Sequence, residues 1–506
     1  MQLSTLAVVA VVLVTFATVA VGAFGLRLSR TTSDFYVAGR AVSPGWNASA
    51  ISGEYLSAAS FLGVAGLVLT AGTDMLWFPV GYTAGYLVLL VLVAAPLRRS
   101  GAYTLPDFAE DRLESRHVRL ATSLLVVAIG WLYLLPQLQG AGLALGAATG
   151  APRWVGGVVV AVVVLLNVVA GGMRSITFVQ AFQYWLKLTA IAVPVFFLLM
   201  VWHGDGSPSP AAMDDGSWVT PLSGEGGREH PLYSTYSVVL ALCFGTMGLP
   251  HVLVRFYTNP DGRGARRTTL TVIALLGAFY LFPPVYGALG RVYASDLLTS
   301  GHADTVVLLL PSRLVPGVGG LLLSALTTAG AFAAFLSTSS GLAMSVAGVL
   351  HQDLRRRRTG TVELDTMRGF RPAVVLAVGV PLALSLVSGS LGLADTVGLA
   401  FAVAASTFCP LLVLGIWWRR LTRAGALAGL VVGGATASAA VLVTMTGVAG
   451  GGWAGTLLAQ PAAWTVPLAF AVMVLVSLAT PGSQPAGVNR TMVRLHTPED
   501  VAVERR

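Results

Sequence analysis

Two short stretches hold most of the residues able to do chemistry. Gly53-Glu54-Tyr55-Leu56-Ser57-Ala58-Ala59-Ser60-Phe61 lies early in the chain, and Ala334-Phe335-Leu336-Ser337-Thr338-Ser339-Ser340-Gly341 lies far downstream. Both insert hydroxyl-bearing and small residues into segments that otherwise read as membrane-spanning helices. An unpaired polar group in hydrocarbon costs on the order of several kcal/mol, so something polar belongs between the two stretches. Uncharged oxygens suit a small hard cation. The expectation is sodium, held weakly enough to be released. The competing reading is local, each hydroxyl bonding a carbonyl four residues back in its own helix.

A second interruption occurs at Gly245-Thr246-Met247-Gly248-Leu249-Pro250-His251. Proline inside a helix removes a backbone hydrogen bond and clashes with the preceding turn. Paired interruptions at matching positions of two halves point to a transporter site near the bilayer midplane, although proline and glycine kinks are common in membrane helices. The freed amides and positive half-helix ends would neutralise an anion without an arginine. Donors for a small carboxylate are expected from Ser60, Tyr133, Gln137 and Thr246, with Gln139 nearby. Tyr133 and Gln137 are four apart, on one helical face, and interhelical hydrogen bonding is their alternative role. Four charged residues fall in or near spans. Glu54 is expected beside an aqueous vestibule, Asp395 near an outer end, Lys187 as a snorkelling or paired side chain, and Arg255 as a snorkelling one. His251 reads as a packed neutral histidine or a proton-sensitive gate.

The elements that position these groups follow from composition. Of 506 residues, 55% are hydrophobic and 10% charged, against about 25% charged in soluble domains. About thirteen spans are expected, roughly at 4–26, 45–72, 76–97, 119–148, 154–171, 175–202, 233–257, 268–292, 316–350, 372–389, 392–418, 423–447 and 461–480. The net charge of +9 suggests nucleic acid only at first sight. Apart from Arg153, Lys187, Arg228, Arg291 and Arg313, all 31 basic residues fall into one alternating set of loops and ends. That asymmetry is the positive-inside signature. It predicts the N-terminus outside, the C-terminus inside, and no nucleic-acid partner. Arg27 and Arg30 follow the first apolar run, whereas a secretory signal carries its charge in front, so an uncleaved first helix is expected. Cys243 and Cys409 match no metal spacing. The polar tail from Pro481 is expected to be flexible.

Several motifs carry a family resemblance. Asp34-Phe35-Tyr36-Val37-Ala38-Gly39-Arg40 resembles the opening motif of the sodium:solute symporter family. Ser100-Gly101-Ala102-Tyr103-Thr104-Leu105-Pro106-Asp107-Phe108 is similar to that family's loop after the third span. Gly171-Gly172-Met173-Arg174, Gly248-Leu249-Pro250-His251-Val252-Leu253-Val254-Arg255-Phe256 and the Ser337-Thr338 segment follow in family order. The similarity spans roughly residues 30–450 and looks closest to the cation/acetate branch.

The resemblance implies an all-α membrane protein with a LeuT-like fold of inverted five-helix repeats. Its parts would be an extra N-terminal helix (1–30), a first repeat (31–202), an external loop (203–232) and a second repeat (233–418). Two C-terminal helices (419–480) and a cytoplasmic tail (481–506) would follow. It also implies a sodium site made by the carbonyls of Gly53, Leu56 and Ala334 and the hydroxyls of Ser337 and Thr338. Many relatives carry an acid where Gln180 stands here, so an inward sodium route through that position is not implied and proton coupling stays open. The expected activity is sodium-coupled uptake of acetate or another short monocarboxylate through the plasma membrane. The alternatives are a proline or sugar substrate, or a proton-coupled monocarboxylate carrier. A sensor would need a signalling domain beyond the last span, and no HExxH or GxSxG motif suggests an enzyme.

Overall fold

Apolar side chains on nearly every turn leave the backbone one way to satisfy its own polar groups in lipid, which is helix. The computed structural model describes residues 2–26, 42–213, 216–224, 229–359, 367–387, 392–448, 450–499 and 501, and these contain helix and turn without strand. The opening motif at 34–40 lies outside the described residues. The helices that matter for the site are α1 (Gln2–Leu26), α2 (Pro44–Tyr55), α3 (Val64–Ala71), α4 (Trp77–Leu92), α5 (Arg116–Thr149) and α6 (Arg153–Gly204). They continue with α7 (Pro231–Thr246), α8 (Pro250–Phe256), α9 (Gly262–Tyr280), α10 (Gly317–Thr359) and α11 (Met367–Val387). The last are α12 (Leu393–Trp417), α13 (Arg423–Met445), α14 (Ala462–Ala479) and α15 (Val488–His496).

Among the described residues, eleven helical runs are long and apolar enough to cross a membrane, and Arg153–Val169 is a shorter apolar helix. Helix occurs in all thirteen expected stretches. The second and third differ in outline, because Ala59–Leu92 forms one apolar run that includes both α3 and α4. The expected fifth and sixth spans meet within α6 at Gly172, whose φ of 57° and ψ of −174° break the helix. A residue with a side chain is strained there. Large apolar side chains such as Leu13, Phe16, Phe196, Leu281 and Leu475 are exposed, as a lipid-facing surface requires.

The centre inverts the soluble pattern, with small and polar side chains inside. α10 packs against α6 and α5, while α1 and α2 both lie against α6. Close approach depends on two glycines. A Cβ on Gly53 would meet Gln180 O at 2.1 Å, and one on Gly341 would meet Glu54 Oε1 at 1.9 Å. Contact this tight brings the α2 backbone within reach of side chains from α6 and α10.

The tail differs from the expected flexible segment. Val488, Met492 and Leu495 lie on one face of α15 and are buried. His496 Nε2 sits 2.8 Å from Ile416 O. Glu499 pairs with Arg99 at 3.4 Å and accepts the Gly262 N–H at 2.8 Å. Hydrophobic spacing of i, i+4 and i+7 docks this helix, and the polarity of the surrounding tail concealed it.

Candidate functional site: a caged ammonium beside an aromatic cluster

α2 stops at its C-cap Leu56, where φ is −71° and ψ is 87°. Ser57 follows, then a π-turn at Ala59–Gly63 leads into α3. Serines at 52, 57 and 60 have lower helix propensity than the alanines and leucines around them. Three carbonyls at this break accept side-chain donors from other helices. Gly53 O accepts Ser337 Oγ at 2.7 Å and the Lys187 ammonium; Glu54 O accepts Thr338 Oγ1 at 2.6 Å; Leu56 O accepts Lys187 Nζ at 2.8 Å. The second break has the same logic. α7 ends at Thr246, Leu249 is extended (φ −74°, ψ 117°), and Pro250 opens α8, a position where its missing N–H is harmless.

The two polar stretches therefore meet, and a cation stands between them: Lys187 Nζ, from α6. It donates to Gly53 O, to Leu56 O and to Ser337 Oγ, the last at 2.6 Å. The lysine is fully buried, so the expected snorkelling does not occur. Of the five oxygens expected to hold sodium, those of Gly53, Leu56 and Ser337 surround this ammonium. Ala334 O instead accepts Ser337 Oγ at 3.1 Å, and Thr338 Oγ1 is turned to Glu54 O.

A second layer closes the cage on the side of α8. Arg255 Nε pairs with Glu54 Oε2 at 2.6 Å, with both side chains buried. Its Nη1 donates to Thr177 Oγ1 at 2.8 Å, and its Nη2 donates to Gln180 Oε1. Gln180 Nε2 then donates to Ser337 O at 2.8 Å. Arg255 neither snorkels nor points to solvent, and Glu54 faces this guanidinium instead of a vestibule. Gln180, standing where an acid was anticipated, uses both ends of its amide to join Arg255 to α10.

The expected substrate residues distribute around a neighbouring aromatic cluster. Ser60 Oγ lies 2.8 Å from Tyr280 OH, and Thr246 Oγ1 lies 2.8 Å from Tyr55 OH. Tyr133 sets its ring edgewise to His251 and Phe401, with centroids 5.2 and 5.8 Å away. Phe401 also meets Tyr82 at 5.3 Å, and Tyr55 meets Tyr86 at 4.8 Å. Gln137 has a different task. Its Oε1 accepts the freed Ala58 N–H at 2.9 Å, a contact between α5 and the α2 break, and its Nε2 donates within α5 to Tyr133 O at 3.3 Å. Gln139 lies apart, in a cavity of about 360 Å³ shared with Arg153, Trp154, His302 and Asp304. There burial pushes the Asp304 carboxyl up to about 6.

The sequence reading did not single out Tyr82 and Tyr86, and it gave His251 no binding role. Their polar atoms (both hydroxyls and both imidazole nitrogens) are buried without a hydrogen-bond partner. Such groups are rare in native proteins, and a ligand carboxylate is a fitting partner. Spacing offered a usable signal: Tyr82 and Tyr86 are one turn apart on α4, and Gln180, Gln183 and Lys187 form a polar stripe on α6.

A family model described as the sodium:solute symporter family matches residues 35–433. The chain is 33% identical over 482 residues to a monocarboxylic acid transporter from Corynebacterium glutamicum, covering 88% of this chain and 86% of that protein. It is 33% identical over 431 residues to the uncharacterized symporter YwcA of Bacillus subtilis, covering 84% and 83%. Among solved structures, a substrate-bound, outward-open Na+-coupled sialic acid symporter aligns with a TM-score of 0.70 at 16% identity, covering 93% of this chain and 98% of that one. Mhp1, a nucleobase-cation-symport-1 family transporter in a closed conformation, aligns with a TM-score of 0.53 at 15% identity, covering 92% and 99%. These two share its fold.

Proposed function

We propose that this chain, which belongs to the sodium:solute symporter family, carries a short-chain monocarboxylate inward together with a cation. It is a multi-pass membrane transporter and not an enzyme. The finer reading takes acetate as the type substrate, sodium as the family's ion, thirteen passages arranged as two inverted five-helix repeats, and an N-terminus outside. The observation carrying it is the meeting of the α2 break with Ser337 and Thr338 around a positive charge. Around Tyr55, at the α2 break, lie the unpartnered donors Tyr82 and Tyr86, and against Tyr133 lies His251. A carboxylate supplies the acceptors these donors lack, and its negative charge suits a site with a buried cation. The crowding of tyrosines favours a small acid over a sugar, in keeping with the relative named as a monocarboxylic acid transporter.

In this scheme the anion binds between the two breaks, and the Arg255–Glu54–Gln180 network holds the basic end of the bundle shut. Rocking of the helices then exposes the site to the other side. One monovalent cation travelling with one monovalent anion moves no net charge, so concentration gradients drive uptake. A second reading, proton-coupled carriage, is favoured by one observation: the sodium position holds the ammonium of Lys187.

The test is uptake of radiolabelled acetate into proteoliposomes under imposed sodium or proton gradients, with propionate, lactate, proline and glucose as competitors. Accumulation suppressed by short acids alone supports the proposal. Accumulation of proline or glucose, with acetate ignored under every gradient, overturns it.

A further inference from the structure

Lys187 is the only lysine among the 31 basic residues of the chain; every other is arginine. The exception sits where a guanidinium is ill suited. Arginine is planar and wide, with five donors in a fork, whereas an ammonium is a compact point charge with three donors. The cage offers three acceptors at short range, two carbonyls and one hydroxyl, and Lys187 meets all three. Every donor of this fully buried group is therefore used.

The same acceptors are the ones a sodium ion would need. Of the other two expected oxygens, Ala334 O lies 3.1 Å from Ser337 Oγ, whose one proton is shared with Gly53 O, and Thr338 Oγ1 donates to Glu54 O. Charge points the same way. The one carboxylate at the break, Glu54, is already paired with Arg255, so a sodium ion next to Lys187 would add a further positive charge with no anion to offset it. We propose that Lys187 is the resident cation of this cage: its ammonium takes the place of sodium between α2 and α10, joins both to α6, and leaves the native site without sodium. This departs from sodium as the coupling ion and deepens the proton-coupled form of the cation-coupled reading, on which it rests for its bearing on transport, but its test needs no substrate.

Purified protein in nanodiscs is titrated with sodium chloride against matched choline chloride while thermal unfolding is followed. The native protein should show no saturable sodium-specific shift. Lys187→Ala, which removes the ammonium and leaves space beside the same oxygens, should acquire one. Lys187→Met, which fills that space without charge, should not. A saturable sodium shift in the native protein, or a folded Lys187→Ala that ignores sodium, overturns the proposal. Should Lys187→Ala fail to fold, the native protein still decides. With isotope-labelled lysine it gives a single side-chain ammonium signal, which should stay unmoved and protected from solvent exchange as sodium is added. A signal that shifts or begins to exchange shows displacement and overturns the proposal. Failure of acetate uptake under all gradients would remove the carboxylate reading and leave these outcomes unchanged.

Discussion

The cage and the aromatic cluster are neighbours built on opposite terms. In the cage, Lys187, Arg255, Glu54, Gln180 and Ser337 answer one another donor for acceptor. In the cluster, Tyr82, Tyr86 and His251 keep polar atoms buried and unanswered. A completed polar network specifies one packing and resists change, whereas an incomplete one is costly until something fills it. The contrast separates a clamp from a receptor, and it divides the expected effects of mutation into losses of stability and losses of affinity.

The largest effect should come from breaking the clamp at its ion pair. Glu54→Ala strands the Arg255 guanidinium in the interior, which costs about 3–5 kcal/mol. Thermal unfolding in detergent should show it, and adding Arg255→Met should recover part of the loss. A single variant as stable as the native protein would erase the distinction between clamp and receptor. Next, Ser337→Ala removes one of the three acceptors on Lys187, for about 1–3 kcal/mol. Its melting temperature should fall with or without acetate present.

The receptor should respond in the opposite sense. Tyr86→Phe deletes a buried hydroxyl that has no hydrogen-bond partner, so stability should hold or rise. The KM for acetate should increase about tenfold, equivalent to about 1.4 kcal/mol of lost affinity. His251→Phe should behave alike in the same uptake assay. A fall in stability with unaltered KM would move these residues from the receptor to the clamp. The smallest effect should come from a position in neither region. Thr104 caps the helix Leu105–Leu113 in a reciprocal arrangement with Asp107. Thr104→Ala should cost about 1 kcal/mol, without altering acetate KM.

Much of the fold was legible because lipid imposes few solutions. Apolar runs marked the helices, and Pro250 and the serines around Leu56 marked the breaks. The meeting of the α2 break with Ser337 was likewise readable, since hydroxyls in hydrocarbon need partners. The occupant of the cage was harder to read. A lysine in an apolar span looks the same whether it reaches toward a headgroup or into the core, and the choice depends on how α6 is rotated against α2. The stripe of Gln180, Gln183 and Lys187 encodes that rotation, but only once the neighbouring helix is placed. Gln137 illustrates the same difficulty: its amide could serve a ligand or the Ala58 N–H, and only the backbone path around Leu56 decides.

The docked α15 has a mechanical consequence. Through Leu495, His496 and Glu499 this short coil is fastened at once to Arg99, to Ile416 and to the start of α9. Any spreading of those three anchorages must strain or unfasten it. A fluorophore carried at the outward-facing Val493 would brighten or dim with each such stretch, turning the last helix into an optical gauge of the transport cycle.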